Sequence, residues 1–165
     1  MTIIDQLKKT IKNIFHKKGF NEFKKDLGQR ESGNDYKCKN SEEFLGRWQF
    51  GMARLSDYGI TYLSDGKWKW KNGYSEENFL NSPELQDRVF KWHVANIVKS
   101  VKTRYSAIIG TKVDGVYIDV SGLVAGVHLG GIGGVNTFLF AGVNYKDSLG
   151  TGVKDYIQQF SGYNL

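Results

Sequence analysis

The sequence predicts a mainly α-helical domain that carries one small β-hairpin, and three observations lead to this prediction. The chain has 165 residues, 40% of them hydrophobic, which is enough to bury one core without disulfides. Apolar residues recur at helical spacing over residues 85–101, behind a Ser82-Pro83 start that is typical of a helix N-terminus. Aromatic and lysine residues alternate near residue 70, which favours a hairpin or extended lobe around residues 60–74.

The amino-acid composition limits the kinds of binding partner that we expect. The formal net charge of +6 favours an anionic partner, such as nucleic acid, a membrane surface or a polymer of the bacterial envelope. Cys38 is the only cysteine, so no intrachain disulfide is possible. The three histidines are far apart in sequence and form no His-x-x-x-His pair, so we expect no metal site and no cofactor.

Residues 1–19 are expected to form a basic amphipathic helix that precedes the main domain at 20–165. Isoleucines and leucines recur there at helical spacing with lysines between them. The longest apolar run is two residues, so no secretory signal is expected and synthesis is expected in the cytoplasm. Two alternatives stay open for this helix, which are docking on the protein body and peripheral contact with an anionic membrane.

A carboxylate is predicted at the end of the next helix. Phe20, Phe23 and Leu27 mark one helical face, and the same face continues to Glu31. Gly33 is expected to end the helix, so a substrate could reach Glu31 there. Burial disfavours the charged carboxylate, and a raised pKa would suit a general acid in glycosidic cleavage. A solvated or lysine-paired glutamate is the alternative.

Four segments, taken in order, resemble the lytic-transglycosylase and goose-type-lysozyme branch of the lysozyme-like superfamily. They are RESGNDY at 30–36, GRWQFG at 46–51, HLGGIGGV at 128–135 and DYIQQF at 155–160. The resemblance covers roughly residues 20–165 and is nearest to compact variants in peptidoglycan-degrading proteins of phages and bacteria. It implies an α+β lysozyme-like domain and a glycosidase.

The resemblance assigns roles to six residues. Glu31 takes the place of the catalytic acid, and Ser32 lines the cleft beside it. Gln49 stands where the family's Gly-x-x-Gln motif reaches an N-acetyl sugar, and Phe50 would wall the same subsite. The family's Tyr-Asn-Ala-Gly element is altered here, so His128 stands in the asparagine place and is either a substrate ligand or a core histidine. Tyr156 matches a late tyrosine of the family.

The function implied is cleavage of the β-1,4 bond between N-acetylmuramic acid and N-acetylglucosamine. Glu31 would protonate the bridging oxygen while the muramic N-acetyl group stabilises the positive charge at the anomeric carbon. Attack by the 6-hydroxyl would make the enzyme a lytic transglycosylase, and attack by water a lysozyme. Asp57 and Asp65 are candidate bases for the water.

The implied biological setting is the bacterial cell wall. Peptidoglycan is the expected partner, and an immunity protein or a delivery machinery is a further expected one. Without a signal peptide, a bacteriolytic phage endolysin or a secreted antibacterial effector would reach the periplasm through lysis, a phage particle or a secretion system. A non-catalytic wall-binding module with the same fold is an alternative.

Two other kinds of function are consistent with parts of the sequence. Trp68, Trp70 and Tyr74 among lysines could stack on sugar rings, pack in the core or bind single-stranded nucleic acid. No nucleic-acid-binding module is recognisable, so no nucleic acid is expected as partner. Residues 120–145 contain no charged side chain and have glycines four apart, which is typical of membrane helices. We expect instead a glycine-lined helix packed closely in a soluble core, and a membrane-active protein that inserts residues 120–145 is the alternative.

Overall fold

The computed structural model describes residues 2–6 and 18–165 of the chain. Of these residues 52% are helical and 12% are in strands or bridges, so the prediction of a mainly α-helical protein is confirmed. Residues 3–6 are helical, whereas the rest of the helix predicted over residues 1–19 lies largely outside the described residues.

From residue 18 onward the chain forms six helices and four short strands. The helices are α1 (Phe20–Ser32), α2 (Met52–Tyr58), α3 (Glu76–Leu80), α4 (Pro83–Arg104), α5 (Val120–Ala141) and α6 (Val153–Gln159). The strands are β1 (Thr61–Ser64), β2 (Lys67–Trp70), β3 (Lys112–Val113) and β4 (Val116–Tyr117), and they form two separate two-stranded hairpins.

Contacts divide the chain into two compact units. We call Lys24–Ser106 the central unit, and Met1–Phe23 together with Ala107–Leu165 the terminal unit. The central unit therefore holds the RESGNDY and GRWQFG segments, while the terminal unit holds HLGGIGGV and DYIQQF.

The central unit is built on α4, which begins as the sequence predicts. Ser82 Oγ accepts a hydrogen bond from the Leu85 N–H at 3.2 Å, and Pro83 occupies the first turn. The buried face of the helix carries Phe90, whose ring stacks on Trp48 with 4.2 Å between ring centres. The indole N–H of Trp48 donates to the Lys24 carbonyl at 3.0 Å, so α1 and α4 share this core.

The predicted hairpin is present. Strands β1 and β2 pair in antiparallel register from Thr61 opposite Trp70 to Ser64 opposite Lys67. The two residues between them, Asp65 and Gly66, have φ of 53° and 71°, which matches the right-handed twist of a tight hairpin.

The glycines of α5 lie in close contact with neighbouring residues of the terminal unit, which is the packing that the sequence offered as one explanation of their spacing. A Cβ atom on Gly122 would lie 2.6 Å from the Ile157 carbonyl oxygen, and one on Gly126 would lie 2.8 Å from the Ile157 side chain. Cβ atoms on Gly130 and Gly134 would lie 2.5 and 2.9 Å from Val153 and Tyr145 respectively. All four glycines thus face α6 and the chain just before it.

Helix α5 is also the one described helix that is long and apolar enough to cross a membrane, judged by length and composition alone. It is not regular, because Gly131 has φ 63° and ψ −177° and kinks it. Its N-terminus is capped by Asp119, which accepts from the Gly122 N–H at 2.8 Å and from the Gly162 N–H at 2.6 Å. The cap and the α6 contacts are those of a helix packed in its own unit.

Candidate active site

Glu31 is the penultimate residue of α1. The preceding turns bury Phe23 and Leu27 on the same side of the helix, and Glu31 is half-buried. The helix ends where Gly33 and Asn34 both adopt left-handed backbone conformations, with φ of 69° and 66°. The prediction that Gly33 ends the helix is therefore confirmed, and Glu31 lies in the last turn of α1.

Ser32 joins the first two sequence motifs. Its hydroxyl donates to the Arg47 carbonyl at 2.9 Å and accepts from the Asp35 N–H at 3.1 Å. The approach is close, because a Cβ atom on Gly28 would lie 2.7 Å from Arg47 Nε. The end of α1 and the turn at 46–51 are therefore held against each other within the central unit.

The turn at 46–51 presents Gln49 in a strained conformation. Gln49 has φ 49°, and its side-chain Nε2 donates to the Gly46 carbonyl at 2.8 Å. A carbonyl can only accept, so this bond orients the amide, and Oε1 makes no hydrogen bond to a described residue. Gln49 is half-buried, and its Oε1 is thus a fixed acceptor for an N–H group of a ligand.

A polar network that the sequence did not predict supports this turn. Arg47 donates from Nε to Asn34 Oδ1 at 2.7 Å and from a terminal nitrogen to the Tyr36 hydroxyl at 2.8 Å. The Tyr36 hydroxyl donates to Asp87 at 2.9 Å, and Asp87 pairs with Lys24 at 2.6 Å. Partial burial raises the pKa of Tyr36, and the hydrogen bond to Asp87 adds to this against the opposing effect of Arg47.

Gln86 is the buried centre of the same arrangement. Its Oε1 accepts from the Arg47 N–H at 2.9 Å, and its Nε2 donates to the Tyr36 and Phe79 carbonyls at 2.8 and 2.9 Å. Gly46 is required beside it, because φ is 76° there and a Cβ atom would collide with Gln86 Oε1. A glutamine among the buried positions of an amphipathic helix is the sequence signal that could have identified this residue.

Phe50 and Tyr156 are core side chains. Phe50 is 2% exposed and its ring lies edge-on to His93, with 5.4 Å between ring centres. With so little exposed surface, the Phe50 side chain offers almost no area for contact with a ligand. Tyr156 is 3% exposed and packs against Phe160 in the terminal unit. His128 lies half-buried on α5 in the same unit.

The two candidate bases are exposed residues of the central unit. Asp57 forms an ion pair with Arg54 at 3.0 Å, and Asp65 accepts from the Ser64 hydroxyl in the hairpin turn. Arg54 also donates to His93 Nδ1 at 2.7 Å, which places that histidine in a structural contact. Among the described residues, no group of three or more histidine, cysteine, aspartate or glutamate side chains could hold a metal ion.

The geometry thus brings Glu31, Ser32, Gln49 and Phe50 into one unit, and it links the segments that carry them by a direct hydrogen bond. No protein-family model, no curated protein and no solved structure matches this chain. The expectation of a lysozyme-like domain therefore rests on the resemblance of the four segments alone.

Proposed function

We propose that the protein cleaves glycan strands of peptidoglycan at the β-1,4 bond between N-acetylmuramic acid and N-acetylglucosamine. One observation carries the proposal, which is the hydrogen bond from Ser32 Oγ to the Arg47 carbonyl. It joins the helix end that bears Glu31 to the turn that bears Gln49. A proton donor and an amide acceptor are the two groups that acid-catalysed cleavage beside an acetamido sugar needs.

In the proposed mechanism, Glu31 gives its proton to the bridging oxygen as the bond breaks. Its half-buried position at the end of α1 leaves the carboxyl accessible to a sugar while reducing its hydration. The muramic acetamido carbonyl stabilises the positive charge that develops at the anomeric carbon, so a second carboxylate is not required.

Gln49 has a positioning role in this mechanism. Its Nε2 is held by Gly46, so Oε1 can accept a hydrogen bond from the N–H of an acetamido group. Such a hydrogen bond would orient the sugar, and Gln49 would take no part in proton transfer. The buried Gln86 and the Arg47 network keep the turn in place behind it. The product has an anhydro end if the 6-hydroxyl attacks and a reducing end if water attacks.

The biological role proposed is bacteriolysis, either as a phage endolysin or as a secreted antibacterial effector that acts on the wall after delivery. The arrangement of the site supports the proposal of a glycosidase, whereas the delivery route is implied by the resemblance alone. Peptidoglycan is the proposed partner in both cases.

The test uses purified protein and isolated peptidoglycan sacculi, with turbidity as the readout. We expect the native protein to clear the suspension and Glu31→Gln to lower the rate by roughly 100-fold or more, since general acid catalysis contributes about that much. Glu42→Gln is the matched control, because Glu42 is an exposed carboxylate of the same unit that lies in the loop between the two motifs. Circular dichroism checks that both variants are folded.

Two results would contradict the proposal. One is equal clearing by Glu31→Gln and by the native protein, which would remove Glu31 from the mechanism. The other is failure of the folded native protein to clear any sacculus preparation, which would favour a wall-binding module without activity.

A further inference from the structure

Helix α4 carries a stripe of cations on the face opposite the core. No acidic residue occurs between Asp87 and the end of this helix at Arg104. Arg88, Lys91, Lys99 and Lys102 in this segment are all exposed. We call these four residues the α4 stripe.

The stripe is straight and narrow. At 3.6 residues per turn, the four side chains lie within an arc of about 80° around the helix axis. They extend over about 21 Å along the axis, since each residue adds about 1.5 Å. Val89, Ile97 and Val101 on the opposite face are buried, so the core holds the stripe outward.

The cations of the stripe have no direct ion-pair partner among the described residues. None of the four side chains forms a hydrogen bond with a described residue either. Some other cations of the same unit are paired, namely Lys24 with Asp87 and Lys39 with Glu43 and Glu76. Glu84 is aligned with the stripe one turn before Arg88 and marks its beginning.

We propose that the α4 stripe docks the carboxylate-bearing strands of peptidoglycan, as a second contact beside the site at Glu31. This inference rests on the proposed function for the identity of the polymer. The stripe is one charge wide and about 21 Å long, which suits a linear polyanion. Several weak contacts along one strand would hold the enzyme on the wall between successive cleavages.

The surface fits a membrane or a nucleic acid less well. The apolar face of α4 is buried in the central unit, and beside the stripe only Ala95 and parts of the half-buried Trp92 and Val98 are exposed, which is too little apolar surface to insert between lipids. Ala95 lies in the middle of the stripe and is exposed, and no exposed aromatic residue interrupts the cations for bases to stack on. Binding at this face would be purely electrostatic.

The experiment measures binding in the Glu31→Gln background, so that the polymer stays intact. The stripe variant carries Arg88→Gln, Lys91→Gln, Lys99→Gln and Lys102→Gln. The control variant carries Lys37→Gln, Lys67→Gln, Lys112→Gln and Lys146→Gln, which removes the same charge from four exposed lysines elsewhere. Glutamine is a good helix former, so α4 should stay folded, and circular dichroism checks this.

Cosedimentation with purified sacculi, stripped of attached phosphate polymers, gives the dissociation constant. We expect the stripe variant to bind at least about tenfold more weakly at low salt, and the difference to shrink as screening increases. The control variant should bind within about twofold of its parent. Vesicles containing phosphatidylglycerol and a DNA duplex serve as the other probes.

The inference is overturned if both variants lose affinity equally, if the stripe variant binds sacculi like its parent, or if the parent does not bind sacculi. It is also overturned if the stripe substitutions weaken binding to vesicles or DNA but not to sacculi. Failure of the proposed function is a separate result, since a native protein that binds through the stripe without clearing sacculi would contradict the cleavage alone.

Discussion

Replacing Gly122 by alanine tests whether α5 is a packed helix whose glycines are required by contact. The new Cβ atom would lie 2.6 Å from the Ile157 carbonyl oxygen, so helix α5 or α6 must move to accommodate it. Overpacking of this kind costs about 1–3 kcal/mol. Alanine is the better helix former by about 1 kcal/mol, which offsets part of the cost. We therefore expect the free energy of unfolding to fall by up to about 2 kcal/mol.

Gly133 provides the matched control on the same helix. A Cβ atom there would meet no atom within 4 Å, and the residue is exposed. Gly133→Ala should therefore raise the free energy of unfolding by up to about 1 kcal/mol. Urea unfolding followed by circular dichroism measures both variants. A Gly122→Ala protein as stable as Gly133→Ala would refute the close packing of α5 on α6 and would return the glycine spacing to the membrane alternative.

Three further predictions concern the central unit. Gln86→Leu would leave the Arg47 N–H and the Tyr36 and Phe79 carbonyls without their hydrogen-bond partner. Urea unfolding should therefore show that the free energy of unfolding falls by roughly 3 kcal/mol. An unchanged unfolding midpoint would contradict the hydrogen-bond network. Because the pKa of Tyr36 is raised in the folded protein, the Tyr36 hydroxyl keeps its proton more firmly there than in the unfolded chain. The contribution of Tyr36 to stability is therefore fully present below about pH 10 and is lost as the pH rises through the folded-state pKa. Ultraviolet titration of tyrosinate should accordingly lose a late-titrating component in Tyr36→Phe, and an unaltered curve would count against the assignment. Trp70 packs on Phe79, whereas Trp68 is 42% exposed. Urea unfolding should therefore show that Trp70→Ala lowers the free energy of unfolding by about 2 kcal/mol and that Trp68→Ala lowers it by less than about 1 kcal/mol. The reverse order would contradict this packing of the hairpin.

Local sequence rules predicted the elements that depend on neighbouring residues. The Ser82-Pro83 start of α4, the helix end at Gly33 and the hairpin within residues 60–74 each follow from capping, backbone conformation or alternation over a few positions. The spacing of the α5 glycines indicated close approach, and the structure supplies the partner helix α6.

Features that depend on distant residues could not be predicted in this way. Gln86 meets Arg47 and Tyr36 across 39 and 50 positions of the chain, and no local pattern encodes such a pairing. The short β3–β4 hairpin is another feature that was not predicted, and its turn is made by Asp114 and Gly115 at φ of 47° and 78°.

The sequence proposed the residues of the candidate site, but it did not predict the contacts that hold them. Motif order indicated that Glu31 and Gln49 belong together, and the Ser32 hydrogen bond to Arg47 supplies a physical link between their segments. Spacing alone could not reveal that Phe50 is almost fully buried, because burial depends on His93 and Trp48 from elsewhere in the unit.

The most direct measurement of the central claim is mass spectrometry of the soluble fragments released from sacculi by the native protein and by Glu31→Gln. The proposed mechanism predicts disaccharide-peptide fragments cut between N-acetylmuramic acid and N-acetylglucosamine, with anhydro or reducing muramic ends, and their loss in Glu31→Gln. Fragments released by cleavage within the peptides, or the same glycan fragments from Glu31→Gln, would contradict it.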